Sequence, residues 1–147
     1  MIESFFTPKR VAVIGASRDP HKLGYGVIRN LLKYNFKGEI FPVNKNASEI
    51  LDIPCYSSVE ELPDGIDLAV VVLPAAIVPK IIEQLGSKEI KNAIVVSGGF
   101  SETGEEGREL EEKLMQVAEK HGIRIIGPNC IGTIDTHAPV NTTFVVG

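Results

Sequence analysis

The sequence VAVIGASRDPHKLG, residues 11–24, decides the fold class of this 147-residue chain. Four apolar residues predict a short strand buried on both faces, and Gly15 follows at once, where the lack of a Cβ permits a tight turn. Apolar residues then recur at helical spacing, at Val27, Ile28, Leu31 and Leu32. A strand, a glycine turn and a helix in this order begin a βαβ unit.

The same alternation continues along the chain. Further strands are predicted at residues 39–43, 67–73, 93–97 and 123–126. One helix follows Pro74, with an apolar stripe at Ile77, Val78, Ile81, Ile82 and Leu85. Another helix is predicted to begin with a capping box formed by Thr103 and Glu106 and to end at Gly122. Residues 46–64 are less regular and predict a short helix, a short strand and one turn that ends near Pro63.

These elements predict an α/β fold: a Rossmann-like, doubly wound, mainly parallel sheet with helices on both faces. Residues 1–147 form a single domain in this interpretation, and the strand-like sequence at its end suggests that a longer protein continues beyond it. Ligands of such sheets bind outside the carboxyl ends of the strands. The functional residues are therefore expected in the turns that follow the strands.

Composition and charge exclude several classes of protein. The chain has 44% hydrophobic residues, no run of about 20 apolar residues and no basic-then-apolar leader, so we expect a cytoplasmic domain without membrane contact. Cys55 and Cys130 are too few for a disulfide framework or a metal cluster. Residues 1–45 carry a net charge of +5 and the remainder −9, which favours an anionic partner near the first third. Nucleic acid is disfavoured because the whole chain is acidic and has no Trp.

The first turn departs from the dinucleotide-binding fingerprint. That fingerprint needs two more glycines soon after Gly15, but Ser17 and Pro20 occupy those places. Gly24 comes only after an insert that carries Arg18 and Lys22. The Ser17 hydroxyl and these two cations could bind phosphate oxygens, or the insert could be a basic surface loop.

The end of the second strand distinguishes between cofactors. A site for NAD normally has an acidic residue there, but this chain has Val43, Asn44 and Lys45. An amide and a lysine suit a phosphorylated ribose, which favours NADP or coenzyme A. A turn that simply ends a strand is an equally good interpretation.

Three later turns complete the candidate site. Leu73 and Pro74 follow the third main strand, and Ser97 and Gly98 follow the fourth, where consecutive glycines permit close approach of a ligand. Glu102 could bind a polar group, but an acid just before a helix more often interacts with the helix dipole, so that role is favoured. The last turn contains Gly127, Pro128, Asn129 and Cys130. No His or Asp is placed to activate Cys130, so a packing role is favoured over a nucleophilic one, and the three histidines have no metal-ligand spacing.

Five segments together resemble a known family. They are residues 5–32 (FFTPKRVAVIGASRDPHKLGYGVIRNLL), 38–45 (GEIFPVNK), 65–75 (GIDLAVVVLPA), 95–107 (VVSGGFSETGEEG) and 124–136 (RIIGPNCIGTIDT). In order and spacing they are similar to the N-terminal CoA-binding domain of acetyl-CoA synthetase (ADP-forming). This NDP-forming acyl-CoA synthetase is related to the alpha subunit of succinyl-CoA synthetase.

The resemblance implies coenzyme A as the ligand. Its phosphorylated ADP portion is expected at a set of residues in the first turn and the second strand end: Gly15, Ala16, Ser17, Arg18, Lys22, Gly24, Val43, Asn44 and Lys45. The pantetheine arm is expected to pass Leu73 and Pro74 toward Ser97 and Gly98. The turn at residues 127–130 is similar to the one that receives the phosphate of a catalytic phosphohistidine. That histidine belongs to another domain of the family, so no catalytic residue is assigned to this chain.

The expected partners are the remaining synthetase domains or subunits, of the succinyl-CoA-synthetase and ATP-grasp types, and the resemblance also allows a homo-oligomer. Two alternatives stay open. A stand-alone, non-catalytic CoA-binding protein would have a reading frame that stops after Gly147. An NADP-binding oxidoreductase domain would bind NADPH in place of coenzyme A.

Overall fold

The computed structural model describes residues 2–146 and contains a central parallel sheet of five strands. The elements, in chain order, are β1 (Arg10–Ile14), α1 (Leu23–Lys33), β2 (Glu39–Val43), β3 (Glu49–Ile50), β4 (Ile53–Pro54), β5 (Leu68–Val71), α2 (Val78–Ser87), β6 (Asn92–Val95), α3 (Glu105–His121), β7 (Arg124–Ile126), β8 (Ile134–Asp135) and β9 (Val140–Asn141). The sheet order is β2-β1-β5-β6-β7, and every pair is parallel. The predicted fold class is confirmed.

The sheet separates two apolar cores, because alternate residues of each strand face opposite sides. Ala12, Ile14 and Val71 pack on the side of α2 and α3. Val11 and Val13 pack on the side of α1. Both sets are almost completely buried, which explains why the strands read as continuous apolar runs in the sequence.

Residues 143–145 pack against α1, on the same side of the sheet. The side-chain amide of Asn30 is buried and donates hydrogen bonds to the Thr143 carbonyl at 2.7 Å and the Val145 carbonyl at 2.9 Å. A Cβ at Gly26 would lie 2.8 Å from the Phe144 carbonyl oxygen. Residues 142–145 therefore run as an extended segment tied directly onto α1.

The connection between β2 and β5 differs from the prediction. Residues 49–54 form a hairpin of β3 and β4, with Leu51 and Asp52 both at positive φ, so the short helix predicted within residues 46–64 is wrong. Tyr56 then pairs with Val43 at the outer edge of β2. The predicted turn near Pro63 is confirmed, since the Leu62 N–H donates to the Val59 carbonyl at 3.1 Å.

Two details of the predicted helices are also wrong. The Thr103 hydroxyl donates to the Phe100 carbonyl at 2.9 Å, and α3 begins after Gly104 without any side-chain cap, so the predicted capping box does not form. Leu32 and Ile77 were expected on buried faces, but they are 44% and 42% exposed. Ile77 precedes α2 in a 3-10 turn, which rotates it away from the core. The predicted stop at Gly122 is confirmed by its φ of 64°.

Among the helices of residues 2–146, none combines the length and the apolar character required to cross a lipid bilayer.

Candidate functional site

Two adjoining clefts lie at the carboxyl ends of the strands, on either side of the point where the strand order reverses between β1 and β5. The first has a volume of about 420 Å³ and is bordered by Ile14, Gly15, Ala16, Val43, Asn44, Lys45, Asn46, Ser57, Ser58, Val59, Leu73, Ile77, Ile81 and Gln84. The second has about 330 Å³ and is bordered by Gly15, Ser17, Lys22, Leu23, Gly24, Val72, Leu73, Pro74, Ser97 and Gly98. They share Gly15 and Leu73, so we call them together the carboxyl-edge groove.

The groove brings together twelve of the thirteen residues predicted to bind the ligand. Arg18 is the exception, because it borders a separate shallow pocket with Tyr25, Ser48 and Glu49. Of the basic residues in the first turn, Lys22 therefore lies at the second cleft, whereas Arg18 lies outside both clefts.

Close backbone contacts explain the two glycines of the first turn. Gly15 has a φ of 93°, and a Cβ there would overlap the Val72 carbonyl. A Cβ at Gly24 would overlap the Gly15 carbonyl. Gly24 thus allows α1 to begin directly against the turn, although the spacing differs from the dinucleotide fingerprint.

The insert between these glycines is held by its own hydrogen bonds. The Ser17 hydroxyl oxygen accepts from the Asp19 N–H at 3.0 Å, and the Asp19 carboxylate accepts from the His21 N–H at 2.9 Å. Lys22 occupies the N-cap position of α1 without making a side-chain cap. The first N–H groups of α1 consequently open toward the second cleft, where they can attract an anion.

At the end of β2, Asn44 has a structural role. Its side-chain nitrogen donates to the Ala16 carbonyl at 2.7 Å, and its side-chain oxygen accepts from the N–H groups of Asn46 and Ala47 at 2.8 and 3.1 Å. The amide joins the first turn to the end of β2 and has little capacity left for a ligand. Lys45 is exposed, and its ammonium group has no partner among residues 2–146.

Sequence reasoning missed one wall of the first cleft. Ser57, Ser58 and Val59 follow the hairpin, Ile77 ends the 3-10 turn before α2, and Ile81 and Gln84 lie within α2. The sequence offered only a weak signal, because residues 77, 81 and 84 also fit the spacing of a core-facing stripe. Ile77 is exposed because its side chain borders the cleft.

The turns after β5, β6 and β7 are joined through Ser97. Its hydroxyl oxygen accepts from the Leu73 N–H at 3.1 Å, and its carbonyl accepts from the Asn129 N–H at 2.9 Å. Glu102 accepts hydrogen bonds from the N–H groups of Gly99 and Phe100, the latter at 3.1 Å. The bond from Gly99 holds the pKa of the Glu102 carboxyl below its usual range.

The turn at residues 127–130 lies beside the groove and does not border it. Asn129 comes nearest, since its side-chain oxygen lies 3.3 Å from where a Gly98 Cβ would be. The Cys130 thiol donates to the Val95 carbonyl at 3.4 Å, and burial raises its pKa. A thiol that stays protonated and packs against the sheet is a poor nucleophile.

The histidines lie away from this site. The His121 ring is 3.0 Å from the Glu83 carboxylate, at the far end of α3, and His137 lies in the β8–β9 hairpin. His21 is exposed in the insert. Over residues 2–146, no three His, Cys, Asp or Glu side chains are grouped so that they could hold a metal ion.

A larger depression of about 580 Å³ lies at the opposite edge of the sheet, around residues 7–10, 36–39 and 138–140. It contains none of the predicted ligand-binding residues. The Arg10 guanidinium there pairs with the Glu39 carboxylate at 3.3 Å. Ligands of such sheets bind where the strand order reverses, and in this fold that point lies in the carboxyl-edge groove, beside the start of α1.

Comparison with known protein families identifies the family to which this chain belongs. The profile described as the CoA binding domain matches residues 9–136. The chain belongs to this family. The matched residues include the whole central sheet and every residue that borders the carboxyl-edge groove.

Individual relatives of this CoA-binding domain are much longer proteins. The alpha subunit of acetate–CoA ligase (ADP-forming) II from Pyrococcus furiosus is 46% identical over 145 residues, which are 99% of this chain and 32% of that subunit. A crystal structure from Pyrococcus horikoshii is 47% identical with a TM-score of 0.93, and the match covers 99% of this chain and 33% of that one. The dinucleotide-forming acetyl-coenzyme A synthetase 1 of Ca. Korarchaeum cryptofilum, solved with phosphate and ADP, is 41% identical with a TM-score of 0.93 over 98% of this chain and 31% of that chain. This chain therefore spans about a third of the length of these relatives.

Proposed function

We propose that this chain is the CoA-binding domain of an NDP-forming acyl-CoA synthetase. The observation that carries the proposal is the carboxyl-edge groove, which has an exposed lysine at one end, the open N-terminus of α1 at its centre and a glycine turn without basic residues at the other. Coenzyme A has the same sequence of groups: a 3′-phosphorylated adenosine, a pyrophosphate and a neutral pantetheine arm.

The proposed orientation follows from these groups. The adenosine occupies the first cleft, against the apolar side chains of Val59, Ile77 and Ile81. The pyrophosphate lies near the N–H groups at the start of α1, where the helix dipole favours negative charge. The pantetheine arm passes Leu73 and Pro74 and ends near Gly98.

Lys45 is the residue proposed to bind the 3′-phosphate. It borders the first cleft, whereas Arg18 does not, and the amide of Asn44 is already engaged by Ala16, Asn46 and Ala47. A lysine ammonium and a phosphate form a charge-assisted hydrogen bond, which is stronger than a neutral one.

The parent enzyme is proposed to interconvert acyl-CoA, ADP and phosphate with the free acid, coenzyme A and ATP, through an acyl phosphate and a phosphohistidine. The names of the relatives support this ligase chemistry. The phosphohistidine belongs to another domain in this proposal, so the present chain binds coenzyme A but needs partner domains or subunits to complete the reaction. The free thiols of Cys55 and Cys130 fit the reducing cytoplasm that we propose as its location.

Calorimetric titration of the chain with coenzyme A, dephospho-CoA and NADPH tests the proposal. We expect coenzyme A to bind about tenfold more tightly than dephospho-CoA, which lacks the 3′-phosphate. Lys45→Ala should remove most of that difference, and the matched change Arg18→Ala should leave it intact. Tight binding of NADPH without binding of coenzyme A would overturn the proposal in favour of an oxidoreductase domain.

A further inference from the structure

The turn at residues 97–100 has two consecutive glycines, which permit a ligand to approach the backbone, but its hydrogen bonds argue against a phosphate there. In phosphate loops, successive backbone N–H groups point at the anion. Here the N–H groups of Gly99 and Phe100 are both taken by the carboxylate of Glu102. The protein's own anion therefore occupies the place that a phosphate would need.

The position of Glu102 also makes this end of the carboxyl-edge groove acidic. One of its carboxylate oxygens and the side-chain oxygen of Asn129 each lie 3.3 Å from where a Cβ of Gly98 would be. These two acceptor oxygens flank the space beside Gly98 at the border of the second cleft, which we call the slot. The hydrogen bond from Gly99 lowers the pKa of Glu102, so its carboxylate stays charged at neutral pH.

The other end of the same cleft has the opposite character. Lys22 and the first residues of α1, Leu23 and Gly24, border it, and no side chain caps the helix. The second cleft is consequently positive at α1 and negative at Gly98. A ligand with phosphates at one end and a neutral chain with N–H donors at the other fits this polarity in one direction only.

We propose that Glu102 is a positioning and specificity residue that fixes the turn at residues 97–100, excludes phosphate from Gly98 and directs the neutral amide-bearing arm of coenzyme A into that slot. The inference rests on the proposed function, because it concerns how the same ligand is oriented. Glu102 acts through the backbone of Gly99 and Phe100, and no chemical step is assigned to it.

The test compares coenzyme A with a shorter ligand that lacks its second 5′-phosphate and its pantetheine arm. Coenzyme A reaches the slot in the proposed orientation, whereas 3′-phosphoadenosine 5′-phosphate ends before it. For Glu102→Gln we expect the affinity for coenzyme A to fall about tenfold and the affinity for the shorter ligand to stay within about twofold. Glu105→Gln, a nearby exposed carboxylate on α3, is the matched control and should change neither affinity.

A second variant keeps Glu102 in place. Gly98→Ala puts a methyl group 3.3 Å from both acceptor oxygens, which narrows the slot and should weaken coenzyme A alone. Equal losses for both ligands, or no loss for either variant, would overturn the inference while leaving the proposed function intact. A wild-type chain that binds neither ligand would overturn the proposed function, and this inference with it.

Discussion

Gly15 and Gly24 contact each other at the start of α1, and this contact fixes the shape of the carboxyl-edge groove. Gly15 turns the chain away from β1 against the Val72 carbonyl, and Gly24 brings the helix onto the Gly15 carbonyl. Both positions lack space for a Cβ, and Gly15 also has a positive φ. At the residue scale, stability and ligand binding therefore depend on the same atoms.

We predict that Gly15→Ala lowers the free energy of unfolding by about 3 kcal/mol, because backbone strain and overlap with Val72 add together. Gly104→Ala is the matched control, since it has a φ of 120° but nothing within 4 Å of the new Cβ. That control should cost only about 1 to 2 kcal/mol. Urea unfolding at pH 7 measures both, and equal losses would show that the overlap is relieved by small shifts.

The sequence does not show which polar side chains of the groove are free to bind a ligand. Asn44 and Lys45 are neighbours with the same predicted role, but hydrogen bonds engage the amide and leave the ammonium group without a partner among residues 2–146. Likewise, the paired glycines after β6 suggested close approach of a ligand, and the sequence favoured a helix-dipole role for Glu102 over binding of a polar group. Whether a polar side chain already has hydrogen-bond partners depends on where the fold places nearby backbone atoms, so residue spacing alone does not reveal it.

At the scale of elements, α1, α2 and α3 end in the same way. In each, an N–H just beyond the helix donates to the carbonyl five residues earlier: Phe36 to Leu31, Ile90 to Leu85 and Ile123 to Ala118, at 3.0, 2.9 and 2.8 Å. The residue before each donor has a positive φ, and these residues are Asn35, Glu89 and Gly122. Glycine and asparagine adopt this conformation at little cost, whereas for glutamate it is strained.

We predict that Glu89→Gly raises the free energy of unfolding by about 0.5 kcal/mol, since relief of strain outweighs the extra freedom of the unfolded chain. Gly122→Ala should lower it by about 1 kcal/mol, because a Cβ there meets nothing within 4 Å and only the backbone is strained. Thermal unfolding measures both changes. Glu89→Gln controls for the exposed ion pair with Lys91, and a gain from that variant as large as from glycine would contradict the strain argument.

At the scale of the whole molecule, three carboxylates accept hydrogen bonds that stabilise the folded structure around them. Glu83 accepts from Lys120 at 2.8 Å and so links α2 to α3, Glu102 holds the turn after β6, and Asp135 accepts from the backbone of His137 at 2.7 Å. The hydrogen bonds from these donors lower the pKa of each carboxyl. A proton therefore binds these groups more tightly in the unfolded chain than in the folded one.

We predict that stability falls on acidification, because groups with a lowered folded pKa stabilise the protein above about pH 5 and lose that effect as the pH falls through the carboxyl range. The triple variant Glu83→Gln, Glu102→Gln, Asp135→Asn should be less stable than the wild type at pH 7 and should lose less on going to pH 4. Urea midpoints at the two pH values measure the difference.

The control for this experiment removes three exposed carboxylates of α3 instead, with Glu106→Gln, Glu109→Gln and Glu112→Gln. It makes the same change in net charge without breaking the links described above. If the control flattens the pH dependence as much as the triple variant, general charge repulsion and not these hydrogen bonds is responsible.

The sequence by itself determined the parallel α/β sheet, the places of its five strands and the edge at which a ligand is expected. These features follow from local patterns: continuous apolar runs for strands buried on both faces, helical spacing between them and glycine where the chain must turn. Tertiary structure alone decided the β3–β4 hairpin, the start of α3, the exposure of Ile77 and the partners of Asn44 and Glu102. The Ala16 partner of Asn44 is distant in sequence, and the other features depend on the backbone geometry of turns, so the pattern of apolar residues along the chain does not encode them.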